Sequence, residues 1–273
     1  MNDNFVEENN SVNLYLLIKI ILRNTKFIFL FSLFACLLGI SVSLFIQNTY
    51  LSSSLIKLKV LSNNSSMSLP QSSGLLGGFL NSGSDNNNFK QIIVSRDFFN
   101  EIYNEPYFLE QLEAAESYNS SKRILSFKES IYDSKKNEWL NEKPSFLDSH
   151  KNFLKNHLFF EEDEDNILEV SIKHMSPYVA ENWMNLVLKK VDEYQKKRDR
   201  KELLTSISFL QEEFSKSSFA EIRNSLTSLI GKKYEDLALI NSSDYYSFEV
   251  IDSPFIPINI FSPNRILIAI LSL

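Results

Sequence analysis

Residues 27–46, FIFLFSLFACLLGISVSLFI, decide how this chain is organised. The segment carries no charged side chain, and as an α-helix it would be about 30 Å long, which matches the hydrocarbon core of a bilayer. The apolar run is too long for a secretion signal, and the polar residues QNTY at 47–50 do not form a small-residue cleavage site. The sequence therefore predicts a retained transmembrane helix at 27–46.

The distribution of basic residues around this helix predicts its orientation. Lys19, Arg23 and Lys26 come just before the apolar run, whereas the next basic residue after it is Lys57. Positive charges favour the cytoplasmic side of a membrane. We therefore expect residues 1–26 to be a cytoplasmic N-terminal segment and the bulk of the chain to lie outside the cytoplasm.

The C-terminal stretch 245–268, YYSFEVIDSPFIPINIFSPNRILI, passes from a strand pattern through three prolines into apolar residues. Pro254, Pro257 and Pro263 cannot donate backbone hydrogen bonds and hold φ near −65°, so they predict a stiff extended connector. The last eight residues, ILIAILSL, are too few to cross a bilayer. We expect 263–273 to be the start of a truncated second transmembrane helix; a short hydrophobic tail is the alternative.

The region between these ends, 47–262, is predicted to form one extracytoplasmic domain. Alternating apolar and polar residues predict strands at LIKLKV (55–60), ILEVSIK (167–173) and YYSFEVI (245–251), which we expect to form a small mixed sheet. The loop at 62–88 is rich in Ser, Asn and Gly but lacks the glycine spacing of a phosphate-binding loop. We interpret it as a flexible surface loop.

Helical spacing of apolar residues predicts the rest of the domain. It indicates helices at 89–105, at about 107–131, at 146–160 and at about 177–240. The last of these has no internal proline and would be about 95 Å long if continuous, although Gly231 could bend it. The predicted class is α+β, with one very long protruding helix.

A narrow apolar stripe runs along this long helix. Such a stripe suits helix–helix packing along a seam, within one chain or between subunits, better than burial in a thick core. Its members, the predicted oligomer seam, are Trp183, Val187, Leu203, Ile207, Leu210, Phe214, Ile222, Leu226 and Leu229.

No pattern of residues predicts catalysis. His150, His157 and His174 lack a further Cys or His to complete a metal site, and the acidic run at 161–165 lacks the spacing of a calcium loop. The basic stretch at 189–201 is interrupted by acidic residues and is interpreted as a solvated helix face, the alternative being contact with lipid-linked pyrophosphate or acidic sugar. We therefore expect no catalytic residue, no metal and no cofactor.

The net charge and the cysteine content bear on two further points, nucleic-acid binding and disulfide formation. The formal net charge of −6 gives no reason to expect nucleic-acid binding, and the single cysteine, Cys36, excludes an intramolecular disulfide.

Four stretches, taken in order, resemble the Wzz-type chain-length determinants, which are polysaccharide co-polymerases of the bacterial inner membrane. The last stretch is the most similar, through its YxFxVID strand and the spaced prolines that precede Asn264 and Arg265. The stretches are NLYLLIKIILRNTKFIFLFSLFACLLGISVSLFI (13–46), IIVSRDFF (92–99), NILEVSIKHMSPYVAENWMNLVLKKV (166–191) and SLTSLIGKKYEDLALINSSDYYSFEVIDSPFIPINIFSPNRILI (225–268).

This resemblance implies a membrane-anchored, non-enzymatic protein with a periplasmic α/β domain between two transmembrane helices. Its relatives assemble into homo-oligomeric rings and act with the polymerase that joins lipid-linked glycan units. They set the modal chain length of the product, such as the O-antigen of lipopolysaccharide. The resemblance also implies that the predicted oligomer seam packs between protomers and that the membrane helices contact the polymerase.

Two other functions fit the same architecture. One is a co-polymerase of capsule or exopolysaccharide export whose tyrosine-kinase domain would follow residue 273. The other is the periplasmic sensor domain of a receptor with two membrane helices. A membrane-anchored hydrolase is disfavoured, because an enzyme needs a concave site with a catalytic constellation.

Overall fold

The computed structural model describes residues 23–59, 87–162, 167–240, 242 and 245–271. Several predictions fall outside these ranges: those on residues 1–22, on Val60, on nearly all of the glycine-containing loop and on most of the acidic run. The described elements, in chain order, are α1 (Thr25–Phe45), β1 (Tyr50–Leu58), α2 (Asn87–Ile93), α3 (Arg96–Tyr103), β2 (Ala115–Asn119), β3 (Ile124–Phe127), β4 (Tyr132–Asp133), β5 (Glu138–Trp139), α4 (Phe146–Asn152), β6 (Leu158–Glu162), β7 (Ile167–His174), α5 (Pro177–Lys216), α6 (Ala220–Ile240), β8 (Phe248–Asp252) and α7 (Arg265–Leu271).

The chain divides into two compact units, one made of Met1–Asn48 with Phe261–Leu273 and the other of Thr49–Ile260. In the first unit, α7 packs against α1. Within the described residues, α1 is the one helix that is long and apolar enough to span a membrane. Most of its described side chains are exposed, which is compatible with a helix that crosses a membrane.

The second unit is built on a four-stranded sheet in the order β6-β7-β1-β8. We predicted a mixed sheet, but each of its strand pairs is antiparallel. For the pair β6–β7, the physical reason is the length of the connection between the two strands. Only four residues separate β6 from β7, which permits an antiparallel pair and not a parallel one.

The predicted alternation in β1 and β7 is confirmed. Ile56, Leu168, Val170 and Ile172 are all buried, and Lys57 on the opposite face of β1 is exposed. In the register, Ile56 lies opposite Leu168, so the buried side chains form one continuous face. The first part of α5 packs on this face, and α2 and α3 pack on α5.

Aromatic rings fill much of the space between the sheet and the helices. The Phe99 ring centroid lies 5.4 Å from that of Phe146, 5.8 Å from that of Phe153 and 6.1 Å from that of Phe108. The Phe108 ring in turn lies 4.8 Å from Trp183 of α5. These contacts fix the base of α5 to the core of the unit.

Three predicted helices have different boundaries. The helix predicted at 89–105 is split in two, because Ser95 adopts an extended conformation and its hydroxyl accepts a hydrogen bond from Phe98 N at 3.1 Å, which starts α3. The segment 107–131 contains a π-helical turn and then the hairpin β2–β3. The segment 146–160 is helical only as far as His157 and then becomes β6, where Leu158 pairs with Ile172.

The predicted long helix is confirmed from Pro177 to Lys216 but does not continue to Ile240. Ser176 caps its first turn and proline occupies the first helical position, a combination that favours helix initiation. The helix ends where Ser217 becomes extended, in the SKSS segment, and the chain returns along α5 as α6. The protruding element is therefore a helical hairpin of α5 and α6, with no break at Gly231.

Candidate functional site

The connector after β8 is held along β1 by serine hydroxyls. Ser52 Oγ donates to the carbonyl of Phe255 at 2.7 Å, and Ser54 Oγ donates at 2.7 Å to the carbonyl of the last residue of β8. Pro254 is half-buried and Pro257 is buried in this segment. The prolines offer no N–H to pair with β1, so the connector is attached to this strand through carbonyls that accept from the serine hydroxyls. Sequence reasoning missed both serines.

The remaining residues of the predicted membrane-junction motif lie in the unit that contains α1 and α7. Pro263 is half-buried, and Asn264 Oδ1 accepts a hydrogen bond from Leu267 N at 3.1 Å, so Asn264 caps the start of α7. Arg265 Nη2 donates to Asn48 Oδ1 at 3.0 Å. The motif thus contains a helix cap and a hydrogen bond to Asn48, the second residue after the predicted first membrane helix.

The residues of the predicted oligomer seam occupy several environments. Trp183 and Val187 are buried in the core of the chain itself, where they offer no surface to another subunit, and Ile207 is buried within the hairpin. Ile222 is 49% exposed. The members that are half-buried along the hairpin are Leu203, Leu210, Phe214, Leu226 and Leu229.

Other large apolar side chains of the hairpin are exposed. Each has about half or more of its surface accessible, although the hairpin is charged and polar elsewhere. Exposed apolar side chains on a protruding element are typical of surfaces that contact another protein. They are Leu204, Phe209, Phe219, Tyr234 and Leu239.

At the base of the hairpin, polar side chains of α5 form hydrogen bonds with the segment that follows α6. Asp192 is buried, and its Oδ1 accepts a hydrogen bond from Tyr246 N at 2.6 Å while its Oδ2 lies 2.8 Å from Lys196 Nζ. One turn further along α5, Gln195 Oε1 accepts a short hydrogen bond from Ser247 Oγ. Burial, followed by nearby carboxylates, raises the pKa of Tyr246 to about 12.

His157 and His174 form a pair at the base of α5. His174 is buried and His157 is partly buried. The rings of His157 and His174 lie 5.9 Å apart, and both contact Trp183. His157 Nδ1 lies 2.8 Å from the carbonyl of Lys173, and His174 Nε2 lies 3.2 Å from that of Gln111. Burial lowers the pKa of each imidazole to about 4.

The third histidine and one lysine of the basic stretch also make contacts within the chain. His150 is buried, with Nε2 3.0 Å from the carbonyl of Val94. In the basic stretch, Lys190 Nζ lies 2.6 Å from Glu105, and this hydrogen bond raises the pKa of the lysine. Among the residues that the structure describes, no three His, Cys, Asp or Glu side chains come together as a metal site.

Comparison with known proteins gives one match to a family and several to solved structures. Residues 10–105 match the family of the Wzz chain length determinant protein. A full-length bacterial polysaccharide co-polymerase is similar at 14% identity and a TM-score of 0.34, over 94% of this chain and 91% of that one. A fragment of WzzB, a polysaccharide co-polymerase from Salmonella Typhimurium, is similar at 13% identity and a TM-score of 0.33, over 79% of this chain and 100% of that one.

No curated protein matches the chain. The family match covers α1, β1, α2 and α3, which include two of the four stretches that carried the resemblance. Proteins of this family are regulatory and non-enzymatic. Residues 10–105 are thus similar to the Wzz chain length determinant family, as the resemblance in the sequence implied.

Proposed function

We propose that this protein sets the modal chain length of a bacterial surface polysaccharide, the O-antigen of lipopolysaccharide. It acts as a non-enzymatic, oligomeric partner of the polymerase that joins lipid-linked glycan units. The observation that carries the proposal is the match of residues 10–105 to the Wzz family. The apolar helix α1 and the protruding hairpin support it, because a regulator of a membrane polymerase needs an anchor and a surface for partners.

The proposed topology follows the domain boundaries expected from the sequence. Residues 1–26 lie in the cytoplasm, 27–46 cross the inner membrane, 47–262 form the periplasmic co-polymerase domain and 263–273 begin a second membrane helix. The length and composition of α1 support the first crossing. The cap at Asn264 supports a helix start at the second.

Cysteine labelling tests this topology in intact cells. In a Cys36→Ser background, Ser120→Cys in the turn after β2 should react with a membrane-impermeant maleimide once the outer membrane is permeabilised. Ser11→Cys should react only after the inner membrane is also opened. The reverse pattern would overturn the proposed orientation.

We further propose that the hairpin contacts neighbouring copies in a ring. The exposed Ile222 and the other exposed apolar side chains of the hairpin support this contact. Ile222→Glu in the full chain should shift the oligomer towards smaller species, as measured by the mass of the detergent-solubilised protein. Ser225→Glu, which also places a carboxylate on an exposed position of α6, is the matched control. A wild-type chain that is monomeric at every concentration would refute the ring.

The function itself is tested by the length distribution of the surface glycan. Deletion of the gene should replace a modal ladder on a gel with short lengths that have no mode, and restoration of the gene should bring the mode back. An unchanged ladder after deletion would show that this protein does not control the chain length in that strain.

A further inference from the structure

Three tyrosines and one arginine from four separate elements come together in the unit Thr49–Ile260. Tyr50 begins β1, Tyr118 lies in β2, Arg123 lies in the turn that follows β2, and Tyr178 lies in the first turn of α5. The rings of Tyr50 and Tyr118 meet edge to face at 6.4 Å, and the Arg123 guanidinium carbon lies 5.5 Å from the centre of the Tyr178 ring. We call these four residues the Tyr–Arg cluster.

Tyr118 lies close enough to the other three side chains for each of them to shift its pKa. Burial raises the pKa of Tyr118, the phenols of Tyr178 and Tyr50 raise it further, and the charge of Arg123 lowers it. All three tyrosines are half-buried, whereas the arginine is exposed. The cluster is therefore open to solvent on one side and fixed by the fold on the other.

The fold does not use the hydrogen-bonding groups of this cluster. Within the described part of the chain, the hydroxyls of Tyr50, Tyr118 and Tyr178 form no hydrogen bond, and Arg123 forms no ion pair. Packing alone would be served as well by phenylalanine, which has the same ring without the hydroxyl. The polar ends of these side chains are thus available to a ligand.

The backbone at Arg123 is also unusual. Its φ is 56°, in the left-handed region that favours glycine or asparagine. Asn119 Oδ1 accepts a hydrogen bond from Lys122 N at 2.9 Å and closes the turn before it. A long cationic side chain held at a strained turn is an outlier of the kind that clusters at ligand sites.

The chemistry of the cluster selects one class of ligand. A guanidinium presents a planar fork of donors that matches phosphate oxygens, and tyrosine hydroxyls add neutral donors. Partly exposed aromatic rings provide flat apolar surfaces for the ring of a sugar. Tyr178 is the second residue of α5, and the start of a helix favours negative charge.

We propose that the Tyr–Arg cluster binds the junction between a sugar and a phosphate or pyrophosphate group, as found at the reducing end of a lipid-linked glycan. Arg123 and the tyrosine hydroxyls hold the phosphate oxygens, and the ring faces of Tyr50 and Tyr178 contact the first sugar. The inference rests on the proposed function, because it assigns the glycan substrate to a site on this chain.

The test measures binding to the full chain in detergent by titration calorimetry. The probes are an oligosaccharide with a reducing-end pyrophosphate, the same oligosaccharide without phosphate, inorganic pyrophosphate, and vesicles of phosphatidylglycerol. The glycan pyrophosphate should bind at least about tenfold more tightly than each of the others, a difference of about 1.4 kcal/mol. Equal binding of the vesicles would show a lipid headgroup site instead, and equal binding of inorganic pyrophosphate would show that the sugar is not recognised.

Variants separate recognition from general charge. Arg123→Gln should weaken binding of the glycan pyrophosphate by about tenfold or more, because it removes a charge-assisted hydrogen bond. Tyr118→Phe should weaken it less, and Lys122→Gln, which removes the neighbouring exposed cation, should leave it unchanged. Thermal unfolding of each variant should match the wild type, so that lost binding is not lost folding. Equal affinities of the wild type and Arg123→Gln would overturn the assignment.

This outcome is distinguishable from failure of the proposed function. If restoration of the wild-type gene does not restore the glycan ladder, the proposed function fails whatever the binding result. If the ladder is restored but Arg123→Gln binds and performs as the wild type does, the proposed function stands and the Tyr–Arg cluster is not the glycan site.

Discussion

The paired histidines His157, which is partly buried, and His174, which is buried, predict that the unit Thr49–Ile260 loses stability as the pH falls. Burial lowers the pKa of each imidazole from 6.5 to about 4 in the folded chain. The unfolded chain therefore takes up these protons at a higher pH than the folded chain does. The contribution of each neutral histidine is complete above pH 6.5 and is lost progressively as the pH falls towards 4.

The expected magnitude follows from the size of the shift. One unit of pKa corresponds to about 1.4 kcal/mol, so each histidine can cost up to about 3 kcal/mol, of which roughly 2 kcal/mol is lost by about pH 5. The two rings lie 5.9 Å apart, so a first proton opposes the second. A total loss of about 4 kcal/mol is a large part of the about 5–15 kcal/mol that stabilises a typical domain.

The fluorescence of Trp183 provides the assay, because its ring lies 4.9 Å from His174 and 5.4 Å from His157. The chain has two tryptophans, so Trp139→Phe leaves Trp183 as the single reporter. Denaturant unfolding of the full chain in detergent should give a free energy lower by about 4 kcal/mol at pH 5 than at pH 7. His157→Asn, whose amide nitrogen takes the position of Nδ1 and can still donate to the Lys173 carbonyl, should halve this difference. An unfolding free energy that is equal at the two pH values, or unaltered pH dependence in His157→Asn, would refute the reasoning.

Three further substitutions test contacts that position the hairpin, the connector and α3. Asp192→Ala should lower the free energy of unfolding by about 3 kcal/mol, because it leaves Tyr246 N without its acceptor at the base of the hairpin. A loss below about 0.5 kcal/mol would contradict this and show that water replaces the carboxylate. Ser52→Ala should cost about 1 kcal/mol and speed proteolysis near Phe255, since the hydroxyl holds that carbonyl; an unchanged cleavage rate would contradict the role of the serine. Ser95→Ala should lower the free energy of unfolding by about 1 kcal/mol through loss of the α3 cap, and an unchanged denaturant midpoint would contradict it.

The strands with a buried face could be predicted from the sequence. In β7, Leu168, Val170 and Ile172 alternate with polar residues because one face of the strand packs on the core. The long helix could be predicted for a similar reason, since Pro177 follows a capping serine and no proline interrupts the segment up to Lys216. These features follow from local rules that leave a periodic signal.

The helix boundaries and the remaining strands could not be predicted, because they depend on partners distant in sequence. Leu158 belongs to β6 because β7 offers an unpaired edge, although the residues before it have a helical pattern. The 177–240 segment divides at Ser217 because the returning helix can pack on α5, as in the contact between Phe214 and Arg223 at 4.5 Å. Apolar periodicity is similar for one long helix and for two that pack on each other.

The same holds for the candidate sites: contacts between residues distant in sequence could not be predicted. The motif from Pro254 to Arg265 could be found from its spacing and its resemblance to a family. By contrast, Ser52 and Phe255 are 203 positions apart, so no local pattern joins them. The Tyr–Arg cluster draws on four elements, and none of its tyrosines stands out in its own stretch of sequence.

Reconstitution tests the central claim most directly. The polymerase and its lipid-linked repeat units are placed in proteoliposomes with and without this chain, and the lengths of the products are measured. The account predicts a broad distribution without the chain and a peak at a defined length with it, at an unchanged total amount of polymerised sugar. The same broad distribution in both cases would contradict the claim that this protein sets the length of the polysaccharide.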